Sequence, residues 1–339
     1  MKLDTTLIAR HLKDVAAASK AAEDAGFDAI WTAEAGGDAF LPAALAAEHT
    51  RKATIGTAVA IAFPRSPMAT AQVSWDLAGL SEGRFICGLG TQVKGHIERR
   101  YSTKWDAPVP RLREYIESMR TIFECWAKGG TRLKYEGKYY NFSLMTPFFT
   151  PAKHDWPNIP IYIAGLNEYI LRLAGESCDG LHAHPFNSPK YLAEYVLPNV
   201  EKGLKKSGRA RKNFTIATIA FAIVGHNREE QEKVRAQVRQ QISFYASTRT
   251  YRIVLETHGW GPVADRLNEK AAKGEWAAMA NEITDEMLDV YSVTGTWDDI
   301  GEKLKKRYDG LLDRVAFYMP YQAGKNEAEW RKLTKQFNG

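Results

Sequence analysis

The sequence is poor in cysteine and contains no long apolar run. Its three cysteines among 339 residues, Cys87, Cys125 and Cys178, lie far apart and lack the spacing of a metal site. Cys87 and Cys178 fall in apolar, strand-like runs, where a reduced and buried thiol is expected, so the pattern favours a cytoplasmic protein. No run approaches the ~18 apolar residues of a membrane helix, and the first residues lack a secretory pattern, so we expect no membrane association.

The sequence also has no large excess of either positive or negative charge. The 46 basic residues exceed the 40 acidic residues by only six, and the excess is spread along the chain. This balance mildly favours anionic small molecules and argues only weakly for nucleic acid, which we do not expect as a partner. With 45% hydrophobic and 25% charged residues, the composition is that of an ordinary globular protein whose core needs no disulfides.

Short apolar runs alternate with helical patterns along the whole chain. Ser66-Pro67 and Ser188-Pro189 mark two helix starts, because serine caps a helix and proline fits its first turn. The eight predicted strands cover residues 3–8, 28–32, 54–62, 84–89, 159–164, 178–183, 214–224 and 315–319. Buried strands that alternate with helices indicate an α/β fold, most naturally a (β/α)8 TIM barrel, with an open doubly wound sheet as the alternative.

One tract is too long for this simple alternation. Between the seventh and eighth predicted strands, residues 229–307 are mostly helical and far exceed one crossover helix. We interpret residues 229–300, approximately, as a helical insertion that caps the barrel mouth. Since the sequence shows no internal repeat and no low-complexity linker, we expect residues 1–339 to form one domain.

The stretch 83–100, which reads GRFICGLGTQVKGHIERR, is the strongest local indication of a site. A buried strand ends here in glycines, which permit tight turns and close approach of the backbone to a ligand. The alternative is that this stretch forms only a strand, a turn and the start of a solvated helix, without a site.

In a barrel, active-site groups gather at the carboxyl ends of the strands. The polar side chains expected there are Asp4 or Thr5, Glu34, Thr91, Gln92, His96, His182, His184 and Tyr318.

Glu34 and His184 are the catalytic candidates. Glu34 follows the second strand, where a carboxylate could transfer a proton or form a hydrogen bond with a cofactor ring. Alternatively, Glu34 caps a helix or is a solvated loop residue. His182 and His184 lie at the end of the sixth strand, and we expect only His184 to face the mouth, with a structural histidine as the alternative. The sequence contains no HExxH or similar pattern, so we expect no metal.

Two further groups could bind phosphate. Gly165 precedes a predicted helix, whose free backbone N–H groups would form an anion site, although glycine is common at such joints without a ligand. Arg65 follows the third strand and could either reach a phosphate or form a surface ion pair. Neither residue identifies a ligand by itself.

Several segments together resemble the luciferase-like flavin and deazaflavin oxidoreductases. They are AAEDAGFDAIWTAE (21–34), AEHTRKATIGTAVAIAFPRSPMATAQ (47–72), DLAGLSEGRFICGLGTQ (76–92), IPIYIAG (159–165) and GESCDGLHAHPF (175–186). The chain looks most like the branch that uses the deazaflavin coenzyme F420. The resemblance implies a (β/α)8 barrel with an insertion after the seventh strand, and a homodimer.

The resemblance also implies where the cofactor binds. A non-prolyl cis peptide is expected behind the ring at Ala58-Val59, with Val59-Ala60 as the alternative, and Glu34 is expected near the ring. The residues that the resemblance and the phosphate argument assign to the cofactor are Ala58, Val59, Arg65, Gly90, Thr91, Gln92, Ala164, Gly165, Leu166 and Asn167. Many members have a second Gly, Ser or Thr in the phosphate turn, where this chain has Leu166-Asn167. Several relatives that oxidise alcohols or sugar phosphates carry an Asp-His pair after the second strand, and its absence argues against a sugar-phosphate dehydrogenase.

Three functions are compatible with these patterns. The first is an F420-dependent oxidoreductase that moves hydride between the deazaflavin and a small organic substrate. The second is an FMN-dependent monooxygenase, and the third is a cofactor-binding protein without turnover, since a barrel does not establish activity. Arg65, Arg99 and Arg100 follow the third and fourth strands and are expected to attract the acidic F420 tail.

Overall fold

The computed structural model describes residues 1–130 and 132–338, and its centre is a closed barrel of parallel strands. The strands are β1 (Lys2–Thr6), β2 (Ala29–Thr32), β3 (Thr54–Thr57), β4 (Phe85–Gly90), β5 (Ile161–Gly165), β6 (Gly180–Ala183), β7 (Thr215–Val224) and β8 (Arg314–Phe317). β8 pairs with β7 on one side and with β1 on the other, so the ring closes. This closure confirms the (β/α)8 TIM barrel and excludes the open doubly wound sheet.

Helices surround the barrel, as the alternating pattern predicted. Those before β7 are α1 (Val15–Ala25), α2 (Phe40–His49), α3 (Pro67–Leu80), α4 (Lys94–Arg99), α5 (Pro108–Ala127), α6 (Glu168–Ser177), α7 (Pro189–Tyr191) and α8 (Leu197–Lys206), with a π-helical turn, Leu192–Val196, joining the last two. Ser66 and Ser188 cap α3 and α7, since their hydroxyls accept backbone N–H groups at 3.2 and 3.1 Å. No helix in the described part of the chain is both long and apolar enough to cross a bilayer.

The tract between β7 and β8 is helical, with one strand that the sequence analysis did not predict. Its helices are α9 (Arg228–Ala246), α10 (Arg252–Glu256), α11 (Gly261–Ala272), α12 (Trp276–Met279), α13 (Asp285–Tyr291) and α14 (Ile300–Arg307), and α15 (Glu327–Asn338) follows β8. The additional strand, Ser292–Gly295, pairs in parallel with Phe221–Val224. Pairing is possible because β7 has ten residues and extends beyond the barrel.

Alternate strand residues face the barrel interior and the helices. Inside the barrel, Trp31 and Tyr162 form a small apolar cluster with Ile86. Below it, Arg314 donates to both carboxylate oxygens of Asp4 at 2.8 Å, and the Trp31 indole N–H donates to Asp4 at 2.9 Å. Only 2% of Asp4 and 6% of Arg314 is exposed, so the barrel floor contains a buried ion pair whose oxygens are well satisfied.

The third strand is interrupted where the mouth begins. The predicted run 54–62 is divided into β3 and a two-residue strand, Ala60–Ile61, which pairs with Leu89 and Gly90 of β4. Between them the Ala58–Val59 peptide bond is cis, at the position that the resemblance implied. The interruption brings the backbone of this segment to the edge of the mouth.

Candidate active site

One side of the barrel mouth, at the ends of β3, β4 and β5, is lined by small residues. A Cβ atom on Gly90 would lie 2.6 Å from Val59 Cγ2 and 3.9 Å from Ala164 Cβ. Deeper in the barrel, a Cβ on Gly88 would lie 1.7 Å from the Thr57 carbonyl oxygen, so glycine is required there for close strand packing. We call Ala58, Val59, Gly90 and Ala164 the small-residue face; Val59 packs directly on the backbone of Gly90 within it.

Glu34 is held by a network beside this face. Its Oε2 accepts the Ile61 N–H at 2.8 Å and an Arg65 N–H at 2.7 Å, while Oε1 accepts the Tyr101 hydroxyl at 3.1 Å. Only 5% of the Glu34 side chain is exposed. The Glu34 N–H donates to the Val59 carbonyl at 3.2 Å, so Glu34 connects the segments that follow β2, β3 and β4.

Of the two roles considered for Arg65, the structure shows the ion pair. Its guanidinium donates to Glu34, to the Ile61 carbonyl at 3.0 Å and to Asp38 at 2.6 Å, because the segment after β2 places two carboxylates beside it. Arg100 is also engaged, since it donates to the Ala35 carbonyl at 2.6 Å. Arg65 and Arg100 therefore stabilise the rim of the mouth.

The loop after β4 is stabilised by its own polar side chains. The Thr91 hydroxyl donates to the Gln92 carbonyl at 3.1 Å, and the Gln92 side chain accepts the Val93 N–H at 3.0 Å. Gln92 has a φ of 59°, a left-handed conformation that is uncommon for a residue other than glycine. These contacts place Thr91 and Gln92 directly beyond the small-residue face.

The turn after β5 is fixed by two tyrosines that the sequence analysis did not identify. The Tyr191 hydroxyl donates to the Leu166 carbonyl, and the Glu168 N–H donates to the Tyr195 hydroxyl at 3.2 Å. Gly165 packs against α6, where a Cβ would lie 2.4 Å from Ile170. Asn167 makes no side-chain cap bond, so the turn offers backbone donors but no hydroxyl side chain to an anion.

We expected only one of the two histidines to face inward, and the structure places His182 inside the barrel and His184 beyond the end of β6, beside Tyr245 and Tyr251. His182 lies inside the barrel, with its ring centroid 4.8 Å from Trp31, and its Nε2 has no hydrogen-bond partner among the described residues. His184 lies beyond the strand end and accepts the Phe186 N–H on Nδ1 at 3.1 Å. Burial lowers the pKa of each ring to about 3, so both are neutral at neutral pH, and His184 carries its hydrogen on Nε2.

Aromatic side chains line the mouth opposite the small-residue face. The ring centroids of Tyr245 and Tyr251 lie 4.7 and 4.5 Å from that of His184. The Tyr245 and Tyr318 hydroxyls are 3.0 Å apart, and Phe221 packs on Tyr318 at 4.7 Å. We call these five side chains the aromatic wall. Tyr318 was expected at the mouth, whereas Tyr245 and Tyr251 belong to the insertion and had no recognisable sequence signal.

The described residues contain no group of three His, Cys, Asp or Glu side chains that could hold a metal ion. The mouth therefore combines a flat small-residue face, a turn with backbone N–H groups and an uncharged aromatic wall. Such a site can bind a planar cofactor beside an organic substrate and can exclude water from both. It contains no unpaired carboxylate of the kind that a general base would need, since the Glu34 oxygens are already bonded.

Comparison with known proteins identifies the family and the fold of the chain. The family model described as "Luciferase-like monooxygenase" matches residues 2–314. An uncharacterized protein of Mycobacterium tuberculosis is 43% identical over 315 residues, which cover 93% of this chain and 92% of that protein. The 5,10-methylenetetrahydromethanopterin reductase of Archaeoglobus fulgidus is 31% identical over 316 residues, or 91% of this chain and 90% of the reductase. The structure of the coenzyme F420-dependent tetrahydromethanopterin reductase of Methanopyrus kandleri superposes with a TM-score of 0.78 at 21% identity, over 99% of this chain and 97% of that one.

Proposed function

The chain belongs to the luciferase-like monooxygenase family, and from this membership we propose that it is a coenzyme F420-dependent oxidoreductase acting on a small organic substrate. The reductase from Archaeoglobus fulgidus supports an oxidoreductase, because this chain is 31% identical to it over about nine-tenths of both chains. The structural neighbour named as F420-dependent supports the choice of cofactor. When bound, the deazaflavin would supply the hydride chemistry, and the protein would supply binding and orientation.

The small-residue face is the observation that carries the proposal. Gly90 and Ala164 have little or no side chain at the ends of β4 and β5, and Val59 packs so closely on Gly90 that a Cβ there would lie 2.6 Å from its Cγ2. We propose that the ring of the cofactor lies on this face, with Thr91 and Gln92 at its edge.

The turn after β5 favours F420 over FMN. FMN ends in a phosphate monoester with up to two negative charges, whereas the F420 phosphate is an internal diester with one. Gly165, Leu166 and Asn167 provide neither a hydroxyl nor a cationic side chain, and the Glu168 N–H already donates to Tyr195. A site with few donors suits the singly charged phosphate better.

We propose different roles for the two catalytic candidates. Glu34 acts as a positioning residue, because its oxygens accept three donors and it connects the segments around the small-residue face. His184 binds the substrate through Nε2–H, since its Nδ1 accepts the Phe186 N–H. As a neutral ring with a pKa of about 3, His184 would be a poor proton donor at neutral pH.

A cofactor titration tests the proposal. We expect the purified protein to bind F420 more tightly than FMN, and Gly90→Ala to weaken F420 binding by at least about tenfold, because the new methyl fills the face. Gly37→Ala is the matched control, since a Cβ on Gly37 meets nothing within 4 Å. Binding of F420 should also weaken with salt if exposed arginines such as Arg99 attract its acidic tail.

The same titration distinguishes the other two functions. Tighter binding of FMN than of F420 would move the protein to the monooxygenases. Failure to bind either cofactor would favour a protein without turnover. Equal F420 affinity for Gly90→Ala and Gly37→Ala would contradict the placement of the ring on the small-residue face.

A further inference from the structure

The aromatic wall has polar groups that the protein itself does not satisfy. The Tyr245 and Tyr318 hydroxyls bond to each other at 3.0 Å. Burial raises the pKa of Tyr245 and a side-chain hydrogen bond from Gln241 partly offsets this rise, as expected of a donor to its oxygen, so the bond from Gln241 does not use a hydroxyl hydrogen. One of the two hydroxyl hydrogens is used in the bond between the tyrosines, so the other is free to donate. The hydroxyl of Thr6 is buried and also has no partner among the residues described.

These groups lie at the same end of the barrel. Asp4 and Ala316 are register partners in β1 and β8, and Thr6 and Tyr318 lie two positions further along the same two strands. The Tyr318 N–H donates to the Ala220 carbonyl at 2.9 Å, which holds Tyr318 at the strand end beside β7. Tyr245 approaches from α9, so the insertion completes the wall.

The wall is uncharged. Burial raises the pKa of Tyr251 to about 12 and raises those of Tyr245 and Tyr318, so the hydroxyls keep their hydrogens at neutral pH. Burial also keeps His184 neutral. Among the described residues, no charged side chain contributes to the pKa shifts of these four rings. A carboxylate, phosphate or ammonium group bound against the wall would therefore lose water without gaining a counter-charge.

We infer that the hydroxyl pair of Tyr245 and Tyr318, at the same end of the barrel as Thr6, binds the one polar group of an uncharged, flat organic substrate, such as a carbonyl oxygen or an imine nitrogen. This inference rests on the proposed function, because it assumes that the mouth binds a substrate beside the cofactor. Aromatic faces favour a flat partner, and a free hydroxyl hydrogen needs an acceptor. Because Tyr245 belongs to the insertion, the insertion would take part in substrate selection in addition to covering the mouth.

Three probes of nearly equal size test this inference on the protein as purified. Acetophenone has a neutral acceptor, ethylbenzene has none, and benzoate is an anion. In ligand-observed NMR titrations we expect acetophenone to bind about fivefold more tightly than ethylbenzene and at least about tenfold more tightly than benzoate. Benzoate binding as tightly as acetophenone would overturn the inference, because the wall would then tolerate charge.

Variants test whether the Tyr245 and Tyr318 hydroxyls cause the preference for acetophenone over ethylbenzene. In the double variant Tyr245→Phe/Tyr318→Phe, acetophenone should lose most of its advantage while ethylbenzene binds as before. Tyr308→Phe is the control, because Tyr308 is a buried tyrosine that follows α14 and precedes β8, at the opposite end of the barrel. Circular dichroism should show that the variants are folded, and a wild-type preference in the folded double variant would overturn the inference.

The result of the probe titrations can be distinguished from the result of the cofactor titration. The probes require no cofactor, so a preference that depends on the hydroxyls would stand even if F420 failed to bind. Conversely, tight F420 binding without any preference among the probes would overturn the inference and leave the cofactor assignment intact.

Discussion

Acidification should destabilise this protein through its two buried histidines, and His184→Gln should remove a defined part of that loss. Burial lowers the pKa of His184 from 6.5 to about 3 in the folded protein. In the unfolded chain the ring recovers its ordinary pKa, so between these two values the unfolded state binds a proton that the folded state does not. The contribution of His184 to the free energy of unfolding therefore falls as the pH falls below about 6.5, and this contribution stops falling near pH 3.

The size of the effect follows from the same two pKa values. Between about pH 7.5 and about pH 5, one such histidine costs about 2 kcal/mol of unfolding free energy. The unfolded-state pKa sets this figure, because at pH 5 the folded ring is still almost entirely neutral. His182 has the same folded pKa of about 3, so the two rings together should cost about 4 kcal/mol.

Urea unfolding at the two pH values measures the loss. His184→Gln retains an acceptor for the Phe186 N–H but cannot titrate, so its stability should fall by about 2 kcal/mol less than that of the wild type. The same fall for wild type and His184→Gln would refute the reasoning, because His184 would then titrate alike in both states.

Three further substitutions test the structure, each by urea unfolding. Asp4→Asn should cost about 3–5 kcal/mol, because it leaves the Arg314 cation buried without its counter-charge, and a loss below about 1 kcal/mol would contradict the buried pair. Arg65→Gln should cost about 1–3 kcal/mol, since Glu34 loses a charged donor in a half-buried network, whereas no loss would show that the network is dispensable. Gly56→Ala should lower the free energy of unfolding by about 1–3 kcal/mol, because its Cβ would lie 2.4 Å from an indole carbon of Trp31 in β2. Wild-type stability of this variant would show that the contact relaxes freely.

The alternation of strands and helices was predictable because it is a local property. All eight barrel strands lie where apolar runs occur, and the caps at Ser66 and Ser188 form as the residue types predict. The strand Ser292–Gly295 was not predictable in the same way. It has four residues inside a helical tract, and it exists because β7 is long enough to pair with it outside the barrel.

Charged and titratable residues were harder to assign than strands. For Arg65 the sequence allowed either a phosphate contact or an ion pair, and the structure shows the ion pair, since only the fold brings Glu34 and Asp38 from the segment after β2 beside it. The two histidines were equally hard to place, because the rings that pack against them, such as Trp31 against His182, come from other elements. Their neutrality depends on burial by Trp31, Tyr245 and Tyr251, which no local pattern could indicate.

The two sides of the mouth differ in how the chain builds them, and this difference explains what the sequence could say about function. The small-residue face comes from the ends of β3, β4 and β5, whose short motifs are visible in the sequence, so the family resemblance could be recognised. The aromatic wall comes from the ends of β6 and β8, from β7 and from Tyr245 and Tyr251 of the insertion, and it exists only after the barrel has closed. If the wall binds the substrate as we infer, a change of substrate requires changes such as those at Tyr245 and Tyr318, which leave the small-residue face untouched. Cofactor and substrate preference should therefore be separable by mutation in this protein.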